Sequence, residues 1–473
     1  MYLKDTDLCM LEHLVYMDDK VALAAGVSSF AGIAPRHTGK TVEKILACFG
    51  ANSLERLDNI TAEIKGACTS GREWAGIIGY LKSSELRLLK LVRILRNERG
   101  VPLALCLIDE ADADRGIVVL KGTSGGDEWI DNVEGFNSSD TDCQIQSLEF
   151  IDGLKYDKIT VTGHSKGANK AMYATILSSK IDRCVVFDGQ GFSREFIDKY
   201  WMEITDRGHN ITNYSICTDY VHALMVPVPN SNQIYCKGFG IDNVKQHHSP
   251  NTFFVTDEDC RLVLDEAGKP QVVIVQEDES INILHGFTTF VMDYAEEEDK
   301  VTIVNFVSRI LAKAFGEKNA EKDIIKFVVS QPDEFAIIIA YLVKYMEVNR
   351  LDAKDIDVLL HTLGLSCINK IITITSIHIP NHDFDIKLNL SVILNYIKKQ
   401  LTDKDSDLIL KTFILPCLKK AFFDKYNINV GRFWGTIDNK VRSIKTETDE
   451  KPKKKCFLSK LCNKFLSLFK RKK

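Results

Sequence analysis

The chain has 473 residues, with 61 Lys+Arg, 65 Asp+Glu and a formal net charge of -4. Residues 451–473 hold ten of the basic side chains and no acid, so the first 450 residues carry 51 basic against 65 acidic groups, net -14. An acidic body with a basic tail excludes a general nucleic-acid binder, because most of its surface repels phosphate backbones, while 45% apolar and 27% charged residues fit a globular protein.

Thirteen cysteines are scattered without a CxxC pair. They read as reduced thiols of a cytoplasmic protein rather than a disulfide framework or a zinc ribbon. Met1 to Asp7 carries acids where a signal peptide needs a basic region. The longest apolar run, Phe335 to Val343, is nine residues, too short to cross a bilayer.

Residues 1–100 read as a largely helical lead-in. Its last predicted helix is Ser84 to Arg96, where Leu86, Leu89, Leu91 and Leu95 recur at helical spacing. From Val101 the period changes. Leu103–Ile108 and Ile117–Leu120 are short apolar runs around a polar turn, and predict paired strands. A helix over 144–154, a strand over 158–162, a helix from Lys166, a strand over 183–187 and a helix over 194–201 follow. Further strands are predicted near 214–217, 233–236 and 253–255, and 262–264 with 272–275 read as a hairpin. Strands alternating with helices indicate an α/β sheet, parallel in its centre. After about residue 300 the pattern is helical, over 301–315, 323–329, 333–348, 390–401 and 407–423.

The strongest chemical signal is Gly163-His-Ser-Lys-Gly167, set between the apolar strand Ile159–Thr162 and a helix. In that context Gly-x-Ser-x-Gly marks a sharp turn that exposes a nucleophilic serine, here Ser165. The helix N-terminus stabilises developing negative charge, so the N–H of Lys166 is one expected oxyanion donor. The Lys166 side chain itself reads as a solvated first-turn residue, with recognition of a phosphate or carboxylate as the alternative. A second oxyanion donor belongs to a loop after an earlier strand, and Val118-Val-Leu-Lys-Gly-Thr123 offers Thr123.

Strand-Lys-Gly-Thr, then Glu128-Trp-Ile-Asp-Asn132, then Gly163-His-Ser-Lys-Gly-Ala-Asn169 resembles class 3 (fungal-type) lipases. The chain is more closely similar to a lipase-like bacterial α/β-hydrolase family of unknown function from Firmicutes. Asp188-Gly-Gln-Gly-Phe192 and His248-Ser-Pro-Asn-Thr-Phe253 match two further elements of that family, with Ala168 and Gln190 departing from its pattern. The resemblance covers roughly residues 1–300. It implies an acid and then a histidine after the serine. Asp219-Tyr-Val221 resembles the Asp-x-Val of class 3 lipases and is the expected acid. Asp188 is the alternative acid, with capping of the Gly189–Gly191 turn as its other role. His248 fits the His-x-Pro element and is the expected base. His247 beside it is the alternative base, His222 is a weaker candidate, and His164 is expected to support the turn.

The tail is amphipathic at helical spacing. Leu458, Leu461, Phe465, Leu468 and Phe469 share one face and Lys460, Lys464 and Arg471 lie opposite. This is the pattern of a helix lying in an anionic membrane interface.

These features together predict an α/β-hydrolase fold with a central, mostly parallel sheet over 1–300. A helical region over 301–440 and a linker with the basic tail over 441–473 follow. The expected function is a Ser-His-Asp serine hydrolase of carboxylic esters, lipid or acyl esters in particular, with no metal or cofactor. The alternative is a catalytically silent lipase-like scaffold at a membrane, with a protein partner for 301–440. The expected location is cytoplasmic, at the inner face of the membrane.

Overall fold

The computed structural model describes residues 3–316 apart from 31, 65–68, 124–134, 137 and 241–245, scattered residues between 327 and 355, and 376–378 and 385–387. The membrane-facing tail residues Leu458, Leu461, Phe465, Leu468 and Phe469, the Glu128–Asn132 element and the predicted helices at 390–401 and 407–423 lie outside the described residues. Residues up to Phe315 form one compact unit, and those from Gly316 belong chiefly to a second.

Among the described residues five α-helices open the chain: α1 (Asp5–Tyr16), α2 (Asp19–Ala24), α3 (Val42–Ile45), α4 (Ala51–Asp58) and α5 (Gly71–Ser83). Their starts are set by local chemistry. Asp18 and Thr41 cap α2 and α3 through their side chains, and Ser70 with Glu73 forms a reciprocal capping box on α5. Each cap satisfies backbone N–H groups that a helix start leaves without an intrahelical acceptor. Helix α1 is buried along nearly its whole length.

Among the described residues an eight-stranded mixed sheet follows in sequence order: β1 (Lys90–Arg96), β2 (Pro102–Asp109), β3 (Asp112–Leu120), β4 (Lys158–His164), β5 (Ile181–Phe187), β6 (Ile211–Ile216), β7 (Asn232–Cys236) and β8 (Ile274–Val275). Strands β3 to β7 pair in parallel. The β1–β2, β2–β3 and β7–β8 pairs are antiparallel, so both edges depart from the expected mostly parallel sheet.

The crossovers are α6 (Asp142–Asp152), α7 (Lys166–Leu177), and α8 (Arg194–Lys199) with α9 (Trp201–Arg207). Right-handed crossovers that step in one direction put all their helices on one face, and α7 packs against both α6 and α9. The other face is covered by α1, which packs on β2 to β5. Helices α10 (Glu279–Tyr294) and α11 (Glu297–Gly316) close the unit. Among the described residues no helix is long and apolar enough to cross a membrane.

Three predicted elements differ. Residues 84–96 are a short 3-10 turn, Glu85–Leu88, followed by strand β1. The leucine spacing is helical, but Val92 and Ile94 are β-branched and the segment finds the apolar β2 as its partner. Residues 253–255 do not form a strand: Pro250–Phe253 is a 3-10 turn that buries Phe253, with proline preset at its first turn. The region read as helical after 301 also contains an antiparallel pair, Ser376–His378 with Asp385–Lys387, which follows the β-branched run from Ile371 to Ile374.

Asp140 ties the entry of α6 to the crossover helices. It accepts hydrogen bonds from Tyr173 and Tyr200 at 2.7 Å and from Ser139 at 2.7 Å, and pairs with Lys199. Burial alone would raise its carboxyl, but the bonds from Lys199, Tyr173, Tyr200 and Ser139 override that and hold it at about 2, against an ordinary 3.8. Its depressed folded-state value means that the stabilisation is present above 3.8 and is lost as pH falls toward about 2. Asp140→Asn is therefore expected to be less stable near neutrality by about 1 kcal/mol, allowing for solvent screening of a partly exposed group. Its urea midpoint should also change less than the wild type's across the acid range. Parallel acid slopes for the two proteins would contradict this.

Candidate active site

Strand β4 ends at His164 and α7 begins at Lys166, so Ser165 is the single residue of the turn. Its backbone has φ 61° and ψ -127°, a combination that non-glycine residues rarely adopt. The turn is held from both sides. Ser165 N–H donates to Phe187 on β5 at 2.9 Å, and Ser165 C=O accepts from Asn169 N–H in α7 at 3.2 Å. The two glycines are required by close approach. A Cβ on Gly163 would lie 2.3 Å from the Gly167 carbonyl oxygen, and one on Gly167 would lie 2.1 Å from that of Leu120.

Asn169 ties this turn to the next loop: its amide donates to Gly191 C=O at 3.0 Å and its oxygen accepts from Gln144 at 2.7 Å. Ala168 sits where a Cβ on Gly189 would come within 2.9 Å, and Gln190 is buried in the same loop.

His248 lies in a short 3-10 turn, Gln246–His248. Its Nε2 is 2.7 Å from Ser165 Oγ and its Nδ1 is 3.0 Å from Asp219 Oδ1. An ionised carboxylate only accepts, so Nδ1 carries the proton toward Asp219 and Nε2 is left to accept from the serine hydroxyl. Asp219 has no exposed surface. Its Oδ2 accepts from the N–H groups of Val221 and His222, each at 3.0 Å. Burial would raise this carboxyl, but the charges and hydrogen bonds of His248 and His222 hold it well below the usual carboxylate range.

Asp188 is a second buried carboxyl at the end of β5, with φ 49°. Its Oδ1 accepts from Ile216 N–H at 2.8 Å, and its Oδ2 is 3.7 Å from His164 Nε2. It does not cap the Gly189–Gly191 turn. That role falls to Asn213, which exchanges hydrogen bonds with Gly189. Burial first, and the neighbouring Asp219 second, push the Asp188 carboxyl well up.

The remaining histidines are directed elsewhere. His247 Nδ1 engages Thr218, 2.8 Å from its hydroxyl. His222 Nε2 meets Glu277 Oε1 at 3.0 Å, so it does not serve as a base for Ser165. His164 is buried, its ring 4.8 Å from that of His248. Burial, then the charge of His248, lower its proton affinity well below the usual histidine range. Lys166 is 1% exposed, which corrects the expectation of a solvated side chain. Helix α7 is buried on nearly every face because α6 and α9 cover its outer side.

Sequence reasoning missed Tyr16, from α1. Its hydroxyl accepts from Gly122 N–H at 3.0 Å and lies 3.2 Å from His164 Nδ1. Gly122 flanks the serine, since a Cβ there would lie 3.2 Å from Ser165 Cβ. Thr123, half-buried, is the next residue. No sequence signal links Tyr16 to Gly122, which are 106 positions apart. Among the described residues, His164–Asp188–His248 and Asp188–Asp219–His222 bring possible metal-ligand atoms within 4.8 Å of one another. Each set draws on His248 or Asp219, whose facing atoms already bond each other, Ser165 or the 219–222 backbone.

Residues 136–275 match a family model described as Mbeg1-like, a family related to lipase-like proteins. The match covers less than a third of the chain and contains Ser165, Asp219 and His248. No curated protein matches the chain.

The close approach at the turn gives a direct test. Gly167→Ala forces a Cβ against the Leu120 carbonyl, and this overpacking against backbone is expected to cost about 3 kcal/mol. Chemical denaturation of the variant should show it. A loss below about 0.5 kcal/mol, the range of neutral surface changes, would mean that β3 and α7 are not packed this closely.

Proposed function

We propose that this protein is a serine hydrolase of the α/β-hydrolase type, in a lipase-like branch related to class 3 lipases, and that it cleaves carboxylic esters, lipid or acyl esters in particular. One observation carries the reading: His248 bridges Ser165 Oγ at 2.7 Å and Asp219 Oδ1 at 3.0 Å, with the serine on a strained strand-to-helix turn. The match to a family related to lipase-like proteins supports the same class.

In this mechanism Ser165 Oγ attacks the ester carbonyl as its proton passes to His248 Nε2. Asp219 keeps Nδ1–H directed toward itself and stabilises the imidazolium that forms. The tetrahedral oxyanion is met by the N–H of Lys166 at the start of α7. Gly122 N–H is committed to Tyr16, so the second donor falls to Thr123. His248 returns its proton to the leaving alkoxide, and the alcohol departs. Water, deprotonated by the same nitrogen, then attacks the acyl-enzyme, and collapse of that adduct frees the acid and restores Ser165. The site lies past the C-terminal ends of β4, β5 and β6, where ligands bind in open α/β sheets.

A fluorophosphonate probe should label Ser165 in the wild type and leave folded Ser165→Ala unlabelled. Turnover of acyl esters by Ser165→Ala or His248→Ala should fall roughly 10⁴-fold or more. A folded wild-type chain that takes no label would favour the silent scaffold instead.

The basic amphipathic tail is proposed to hold the protein at an anionic membrane surface, on the strength of its sequence pattern. Removing residues 451–473 should abolish sedimentation with phosphatidylserine-containing vesicles. Equal binding by full-length and truncated chains would overturn that placement.

A further inference from the structure

The site contains a second histidine that the mechanism above does not use. His222 is buried, and its ring lies between two carboxylates: Nε2 is 3.0 Å from Glu277 Oε1, and Nδ1 is 3.5 Å from Asp219 Oδ2. Asp219 thus faces a histidine from each oxygen, His248 on Oδ1 and His222 on Oδ2. Beyond Glu277, His285 of α10 places Nδ1 3.9 Å from the same Oε1. A chain of alternating groups runs from Ser165 through His248, Asp219 and His222 to Glu277, just ahead of α10.

Every titratable neighbour of His222 bears on its charge. Asp219 is on its own loop, and Asp188 approaches from the end of β5. Tyr235 of β7 stacks obliquely on it at 5.5 Å between ring centroids. Glu277 precedes α10, and His285 stands behind Glu277.

We propose that His222 is a positioning residue: as a buried cation held between Asp219 and Glu277, it orients the Asp219 carboxylate and sets the lower pH limit at which His248 can accept the serine proton. This rests on the hydrolase reading of Ser165. Burial works against a charge on His222, but the hydrogen bonds and charges of Asp219 and Glu277 override it and raise its proton affinity from the ordinary histidine value. The consequence follows from charge counting. With His222 protonated, Asp219 and Glu277 carry one compensating cation between them, and a proton on His248 gains less from Asp219 than it otherwise would. Without His222, the buried Asp219 that faces His248 and the partly exposed Glu277 behind it lose the cation between them, and His248 becomes protonated at higher pH. At a separation of several ångströms the loss of one charge is worth about one pH unit. Glu277 works in the opposite sense, since removing its anion leaves the cluster no more negative than before.

The test uses the full chain with 13C-labelled histidine. The His248 Cε1–H resonance, assigned by its loss in His248→Gln, is titrated in wild type, His222→Gln and Glu277→Gln. The expected midpoint rises by about one pH unit in His222→Gln, and falls or holds in Glu277→Gln. The half-labelling pH for the fluorophosphonate probe should move with it. An unchanged or lower midpoint in His222→Gln, or a rise in Glu277→Gln, overturns the proposal. If His222→Gln does not fold, Glu277→Gln alone decides by the sign of its shift. General loosening of the site would move both variants the same way, whereas the charge argument separates them. The titration reads this coupling even in a chain that takes no label, an outcome that would count against the hydrolase reading and leave the role of His222 to be decided by the midpoints.

Discussion

Burying a lone carboxylate costs several kcal/mol unless hydrogen bonds and opposite charge replace the lost water, and Asp219 has no exposed surface at all. The arrangement around Ser165 follows from how that cost is met. Strand β6 ends at Ile216, and the chain turns so that Asp219 N–H reaches back to the Ile216 carbonyl at 2.8 Å. The same turn aims the N–H groups of Val221 and His222 at Oδ2. This leaves Oδ1 for His248, which in turn fixes the imidazole against Ser165.

The serine has its own constraint. A single residue must join β4 to α7 while β3 and α7 approach within a backbone's width of one another. Gly122, Gly163 and Gly167 meet that requirement together, because at each of them a Cβ would fall within 3.0 Å of a backbone or hydroxyl oxygen. The packing then depends on the face that α1 covers. Tyr16 holds the end of the β3 segment through Gly122 N–H and reaches His164 beneath the turn. An N-terminal helix far from the serine in sequence is therefore part of what fixes the geometry around Ser165.

What could be read from the residues was local. The turn at Ser165 is written in five consecutive positions flanked by a strand pattern and a helix pattern. The β3 to β6 strands and their crossover helices follow from hydrophobic period and turn residues in the same way. Where a segment's pattern admitted two partners, tertiary pairing decided. Residues 90–96 have leucines at helical spacing but lie as the edge strand β1 against β2. The buried Lys166 and the antiparallel β8 edge depend on what covers or pairs with each element, and that is set by distant chain. Tyr16 and Glu277 were invisible for the same reason. Tyr16 meets His164 across 148 positions, and Glu277 meets His222 across 55.

Asp188 and Asp219 show where a sequence pattern stops distinguishing residues of one type. Both follow parallel strands after the serine, and both are buried. Their difference lies in the count of partners. Asp219 receives two backbone N–H groups and faces two imidazoles. Asp188 receives one N–H, and its other oxygen faces a histidine whose own burial disfavours a charge. Two carboxylates this close disfavour each other's charge, so burial and the neighbouring Asp219 push the less well-partnered Asp188 carboxyl up. Of the two, it is Asp219 that stands between His248 and His222, and His222 in turn meets Glu277.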